Sequence, residues 1–124
     1  MHMDASTLTW HDAVVAAVHV HDRARRMVWE VEVFRWDLAP QGDAQPGRLT
    51  FEDVGSVEAR HDLANVSTAA QVDWEVLAAH FEREEGQTRC QFLLTLPRVV
   101  REGGGFGYAE LVISCRQVRF APSI

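Results

Sequence analysis

The sequence contains no lysine, only two cysteines, and no apolar stretch that approaches the length of a membrane helix. A P-loop needs a lysine after its glycines, so Gly103 to Gly107 cannot form a phosphate loop of that kind. A membrane-crossing helix needs about 20 apolar residues, and the N-terminus lacks the basic start and the apolar run of a signal peptide. We therefore expect a cytoplasmic protein without a membrane anchor, in which Cys90 and Cys115 are free thiols packed in the core.

Basic charge is also scarce. The chain has 18 acidic residues against 12 arginines, for a net charge of -6. Nucleic-acid binding depends on clustered basic residues that neutralise phosphates, so we expect no nucleic-acid partner. Residues 49–85 hold nine acidic residues and two arginines, for a net charge of -7, whereas residues 86–124 carry +3. This asymmetry indicates either a solvated surface or a contact for a basic protein partner, with Glu82, Glu84 and Glu85 as candidate contact residues.

Alternation of apolar and polar residues with a period of two runs through much of the chain and is typical of strands. Valine is the commonest residue, and Val14 to Val20 and Met27 to Val33 form two such runs joined by a short polar stretch, which predicts a β-hairpin. We predict one domain over residues 1–124 that is mainly β (or α+β), with at most one or two short helices. Its single antiparallel curled sheet would be barrel-like or a sandwich. The predicted core consists of Val14, Val18, Trp29, Val31, Val33, Phe51, Phe92, Leu94, Leu111 and Ile113.

Three features interrupt the alternation. Residues 37–48 contain two prolines and two glycines, which predicts a long loop. The apolar phase slips around Gly55 and again near Arg116 and Gln117, and each slip predicts a bulge or a bend.

Residues 72–85 fit two structures. Trp74, Leu77, Ala78 and Phe81 have the spacing of an amphipathic helix. Leu77, Ala79 and Phe81 also alternate, and Glu85-Gly86-Gln87 is suited to a turn into a clear following strand. We favour a strand over 75–84 and keep the helix as the alternative.

The histidines suggest a metal site. His19 and His21 lie two apart on a predicted strand, so both imidazoles project from one face, as a divalent site requires. A third ligand would have to come from His11, His61, His80 or Asp22, and nothing in the sequence brings one near. The alternative is a pair of solvent-facing histidines on an outer strand face.

No motif predicts a catalytic residue or a cofactor. Neither cysteine stands in a recognisable catalytic signature, and no serine occupies a Gly-x-Ser-x-Gly elbow. The paired acids Glu30 and Glu32 share a strand face, which is the usual arrangement of a solvated surface.

Three short segments carry a resemblance to a known group. They are Trp10-His11-Asp12-Ala13, Leu49 to Val54, and Leu111 to Phe120. With them the chain resembles a loose group of small β-rich bacterial proteins, some of which are grouped with the immunity proteins of polymorphic-toxin systems. The resemblance implies a compact β domain that binds a partner, and it assigns no catalytic residues.

Three hypotheses follow. The first is a non-catalytic binding module, immunity-like, that presents the acidic region 49–85 to a basic protein partner. The second is a metal-binding protein or metal-dependent enzyme that uses His19 and His21. The third is a homodimer built through Phe34 and Trp36, which lie on the strand face that carries both apolar and acidic side chains. Such a dimer is compatible with either of the other hypotheses.

Overall fold

The fold is one antiparallel β-sheet. The computed structural model describes residues 3–21, 23, 25–35, 43–60, 74–95 and 108–123. The described residues form nine strands and one short 3₁₀ helix, Ala5–Thr7. The strands are β1 (Met3–Asp4), β2 (Val14–His21), β3 (Arg26–Arg35), β4 (Asp43–Glu52), β5 (Ser56–Arg60), β6 (Trp74–Glu84), β7 (Gln87–Thr95), β8 (Tyr108–Cys115) and β9 (Gln117–Pro122). Their order in the sheet is β1-β9-β4-β3-β2-β6-β7-β8-β5, which confirms the prediction of a mainly β curled sheet.

The sheet curls at a corner that is shared by two ribbons, β4–β5 and β8–β9. The chain passes from β4 to β5 through Asp53, whose φ is 51°, and from β8 to β9 through Arg116. β4 pairs with β9 and β5 pairs with β8. Two backbone bonds connect the ribbons across the corner, from Gly55 N to Ser114 O (2.8 Å) and from Arg116 N to Glu52 O (3.0 Å). The bends predicted near Gly55 and Arg116 are this corner.

The other side of the curl is a narrow junction between β2 and β6. Only Val14 with Glu75 and Val15 with Trp74 pair there within the described strands. The segment before β2 extends the junction, since Asp12 N donates to Val76 O (2.9 Å) and Val76 N donates to Ala13 O (2.7 Å). Backbone hydrogen bonds do not close the sheet, because β1 and β5 are its edges among the described strands.

Aromatic rings fill the inside of the curl. Trp29 is fully buried and contacts Phe51, Phe92 and Trp74 with ring centroids 5.0, 4.8 and 5.9 Å away. Trp10 closes the N-terminal side, where its indole Nε1 donates to Ala5 O (2.8 Å). Such rings each bury a large apolar area, so they dominate the stability of a sheet this size. Nine of the ten predicted core residues are buried, namely Val18, Trp29, Val31, Val33, Phe51, Phe92, Leu94, Leu111 and Ile113.

The prediction that Val14 points into the core at the start of β2 is wrong. Val15 is fully buried, whereas Val14 is only partly buried. The pairing of β2 with β3 slips between Val15 and Ala17, so one extra residue shifts the inward positions at this point. The apolar run of the sequence hides this bulge, because valine or alanine stands on both faces.

The predicted loop over 37–48 is wrong for its second half. Residues 36–42 lie outside the described residues, but β4 begins at Asp43 and runs through Pro46 and Gly47 in register with β3. Pro46 is opposite Glu32 and Gly47 is opposite Val31. Gly47 is required there because the ring of Phe120 packs directly over its Cα.

Residues 74–84 form a strand, as favoured, and the helical alternative is wrong. The register of β6 against β7 slips between Val76 and Ala78, so Leu77 is an inserted bulge residue. The bulge moves the inward positions from Trp74 and Val76 to Ala79 and Phe81, which produces helix-like spacing in a strand. No helix among the described residues is long and apolar enough to cross a membrane.

Candidate functional site

The three candidate glutamates lie together at the tip of the β6–β7 hairpin. Glu84 pairs with Gln87, and Glu85 and Gly86 form the two-residue turn with φ values of 46° and 79°. Positive φ at both central residues is the backbone of a type I′ turn, which matches the twist of the two strands. Glu82, Glu84 and Glu85 are all exposed. The turn therefore holds three carboxylates in solvent at one end of the sheet.

Alternation divides this hairpin into two faces. Phe81 packs against the core, and Arg83 lies two residues further on the same face, opposite the buried Thr88. Glu82 and Glu84 therefore point to the outer face. Glu82 stands opposite Arg89, which balances its charge, whereas Glu84 stands opposite the neutral Gln87.

A surface recess of about 660 Å³ lies beside the turn. Its lining residues are Glu84, Glu85, Gln87, Thr88, Arg89 and Ser114. Two carboxylates, one amide and two hydroxyl side chains give it several hydrogen-bond acceptors. Arg89 is the one positive charge in the lining, and Glu82 stands opposite to it on the neighbouring strand. A guanidinium or ammonium group is the ligand that such a set of acceptors binds best. We call this set of lining residues the acidic recess.

The two candidate metal ligands do lie on one face. The rings of His19 and His21 are stacked, with centroids 6.4 Å apart and planes at 27°. His19 Nε2 is 3.2 Å from Glu30 Oε2 on the neighbouring strand. The described residues contain no group of three or more His, Cys, Asp or Glu side chains placed to hold a metal ion. The two-histidine site stays a prediction, and Asp22 and His61, two of its candidate third ligands, lie outside the described residues.

The predicted dimer contact is described only in part. Phe34 lies on β3 and is partly buried, whereas Trp36 lies outside the described residues. The homodimer therefore stays a prediction.

Both cysteines are free and buried in neighbouring strands. The Cys115 thiol donates to the carbonyl oxygen of Thr88 (3.8 Å). A hydrogen bond between the two thiols raises the pKa of Cys90, and burial raises it further. Cys90 is therefore a neutral thiol at physiological pH and a poor nucleophile.

Sequence reasoning missed what the N-terminal segment contributes. The imidazole Nδ1 of His11 donates to the carbonyl oxygen of Leu77, the β6 bulge residue, at 3.0 Å. This hydrogen bond, together with the charge of Asp12, raises the pKa of His11. No sequence pattern signals the contact, because it joins residues 66 positions apart at an irregular point of the strand.

A second cavity, of about 270 Å³, lies between the N-terminal segment, the β6–β7 hairpin and β9. Its lining residues are Asp4, Ser6, Phe81, Arg83, Thr88, Gln117, Val118 and Arg119. Arg119 also pairs with Glu52, with Nη2 2.6 Å from Oε1. We call this the seam cavity. No sequence motif marks any of its polar side chains as functional.

A scan against protein-family models finds no match to the chain, and searches of the curated proteins and of the solved structures find no match either.

Proposed function

We propose that this chain is a binding module that presents the acidic recess to a basic segment of a protein partner. The observation that carries the proposal is that Glu84 and Glu85 line one recess at the exposed tip of a tight hairpin. The resemblance to immunity-type proteins favours a protein as the partner. The net charge of -6 would also steer a basic partner toward this chain over long distances.

The recess suits arginine better than lysine. A guanidinium group has five donors in a planar fork and is less strongly hydrated than an ammonium group, so it binds two carboxylates at a lower desolvation cost. Glu84 and Glu85 supply the carboxylates, and Gln87 and Ser114 supply neutral acceptors. Glu82 does not line the recess, and Arg89 stands opposite to it, so it contributes less. The expected order of importance is therefore Glu84 and Glu85 before Glu82.

A short peptide tests this with a matched control. The probe is a synthetic peptide with two adjacent arginines among neutral residues, and the control peptide has citrulline in their place, which keeps the shape and removes the charge. Amide chemical shifts of the protein are followed by NMR at about 50 mM salt and again at about 150 mM. We expect the arginine peptide to shift Gln87, Thr88 and Ser114, with weaker binding at the higher salt.

Protein variants then locate the contact. We expect the Glu84→Gln, Glu85→Gln double variant to weaken binding about 30-fold, since each glutamine still accepts a hydrogen bond and loses only its charge-assisted part, about 1 kcal/mol per bond. Glu58→Gln on β5 is the control, because Glu58 is also exposed and its loss changes the net charge in the same direction. Equal weakening by the double variant and the control, or equal binding of the citrulline peptide, would remove the proposal.

A further inference from the structure

We propose that the outer face of the β2–β3 hairpin binds a divalent transition-metal ion through His19 and His21. His19 stands opposite Val28 and His21 stands opposite Arg26. The residue between the histidines, Val20, points to the other face, so both imidazoles leave the sheet on the same side. Their rings are stacked, with centroids 6.4 Å apart and planes at 27°. One strand therefore holds two nitrogen ligands side by side.

The separation of the two rings is close to what a shared ion requires. A metal–nitrogen bond of about 2.0–2.1 Å places each ring centroid about 3.2 Å from the ion. Two rings that bind one ion at about 90–110° then have centroids about 5 Å apart. The rings of His19 and His21 need to approach by about 1.5 Å. Because His19 is half-exposed and His21 is exposed, small side-chain rotations bring them together without any change in the core.

Glu30 orients the first of the two ligands. Nε2 of His19 donates to Oε2 of Glu30 at 3.2 Å. A carboxylate only accepts hydrogen bonds, so the neutral imidazole carries its proton on Nε2, and Nδ1 has the free lone pair. Histidines that bind metals commonly donate their other ring N–H to a carboxylate, which fixes the ring and raises its basicity. Glu30 is therefore a positioning residue.

The number of protein ligands indicates which ions fit. Of the residues that the structure describes, none adds a third His, Cys, Asp or Glu ligand to the pair, so water fills the remaining positions. Two imidazoles with water suit the tetragonal shell of Cu²⁺ or Ni²⁺ better than the closed tetrahedral shell of structural Zn²⁺. Arg26 opposes a cation, but its side chain is exposed, so solvent and salt screen its charge.

The experiment titrates ¹⁵N-labelled full-length protein with nickel chloride at about pH 8, where protons compete little for imidazole nitrogens. Ni²⁺ is paramagnetic and broadens the amide signals near it, so the readout locates the ion on the chain. We expect broadening centred on His19, Val20 and His21, and none with Mg²⁺, which prefers oxygen ligands. His19→Ala and His21→Ala should each weaken binding at least about tenfold, because each removes one of two linked contacts.

His80→Ala is the control for the histidine pair, because His80 is exposed on β6 and stands opposite Gln91. It should leave the affinity unchanged. Broadening centred away from β2, or single variants of His19 and His21 that bind as tightly as the wild type, would overturn the site. Displacement of bound Ni²⁺ by an equal concentration of Zn²⁺ would overturn the tetragonal assignment.

Glu30→Ala tests the positioning role. Glu32→Ala is its matched control, because Glu32 is exposed on the same face of β3 and its loss changes the net charge equally. We expect Glu30→Ala to weaken Ni²⁺ binding about tenfold and Glu32→Ala to have less than about a twofold effect. In the metal-free protein, the ring ¹⁵N shifts of His19 should show more of the Nε2–H tautomer in the wild type than in Glu30→Ala. Equal effects of the two variants on affinity, or an unchanged tautomer, would overturn the role of Glu30.

Discussion

Gly47 is the position where one added carbon atom should cost the most. It lies within β4, between Val31 on β3 and Pro122 on β9. A Cβ atom built there would lie 2.5 Å from Cζ of Phe120 and 2.6 Å from the carbonyl oxygen of Ala121. Carbon atoms in contact are normally about 3.5–4.0 Å apart, so Gly47→Ala requires a movement of about 1 Å.

The cost follows from what has to move. Phe120 is fully buried, so its ring cannot swing into solvent, and the backbone of β9 must shift as well. Overpacking of a core costs about 1–3 kcal/mol, and the backbone clash places this case at the upper end. The substitution also adds back about 0.5–1 kcal/mol of stability, because glycine loses more conformational entropy than alanine when the chain folds into a strand. The expected net loss of stability is about 2 kcal/mol.

Thermal and urea unfolding followed by circular dichroism measure this loss. At an unfolding entropy of about 2.1 cal/mol/K per residue, 1 kcal/mol corresponds to about 4 °C in a chain of 124 residues. We therefore expect Gly47→Ala to lower the melting temperature by about 8 °C. The slope of the urea transition should stay unchanged, because the surface exposed on unfolding is the same.

Gly55→Ala is the control. A Cβ at Gly55 meets a single atom, the carbonyl oxygen of Ser114, at an ordinary 3.8 Å, so its effect should lie within about 0.5 kcal/mol. In Gly47→Ala with Phe120→Leu, the shorter side chain removes part of the clash, so the combined loss should be smaller than the sum of the two single losses. A Gly47→Ala protein as stable as the wild type would refute the reasoning.

Two further predictions concern the hairpin and the N-terminal segment. Glu85→Asn should raise stability by about 0.5–1 kcal/mol by urea unfolding, because asparagine adopts positive φ more readily, and yet weaken binding of the arginine peptide. A Glu85→Asn protein that binds this peptide as well as the wild type would contradict the role of Glu85. For His11, NMR titration should give a pKa above 6.5, chiefly because of its bond to Leu77 O. A raised pKa stabilises the fold below about pH 6.5 and loses that effect as pH rises through the folded value, so His11→Ala should abolish this part of the pH dependence; an unchanged profile would contradict it.

Most strands were predictable because a single sequence already shows the alternation of apolar and polar side chains along a strand. β7 follows a strict period of two, and its buried residues match the prediction. β3 does so from Trp29 to Val33, whereas Val28 is buried out of that phase. The second half of the predicted loop was not predictable as strand, because proline and glycine are typical of turns. Gly47 is in a strand for a reason that lies 73 positions away in Phe120, and single-sequence patterns carry no such information.

The two cavities show the same limit. The acidic recess could be anticipated in part, since Glu84 and Glu85, two of the three candidate glutamates, are close in sequence and beside a turn signal. The seam cavity could not, because Asp4, Arg83 and Arg119 come from distant segments. Their proximity depends on the corner between β8 and β9, whose existence was predictable but whose direction was not.

One inserted residue decides what each face of the β6–β7 hairpin carries. Before the bulge at Leu77, the inward positions of β6 are the even ones, Trp74 and Val76. Without the bulge that phase would continue, and Glu82 and Glu84 would point inward while Arg83 pointed to solvent. The inserted residue reverses the phase, so Glu84 lines the outer recess and Arg83 lines the seam cavity. The irregularity that made this segment resemble a helix is therefore what places Glu84 and Arg83 on opposite faces of the hairpin.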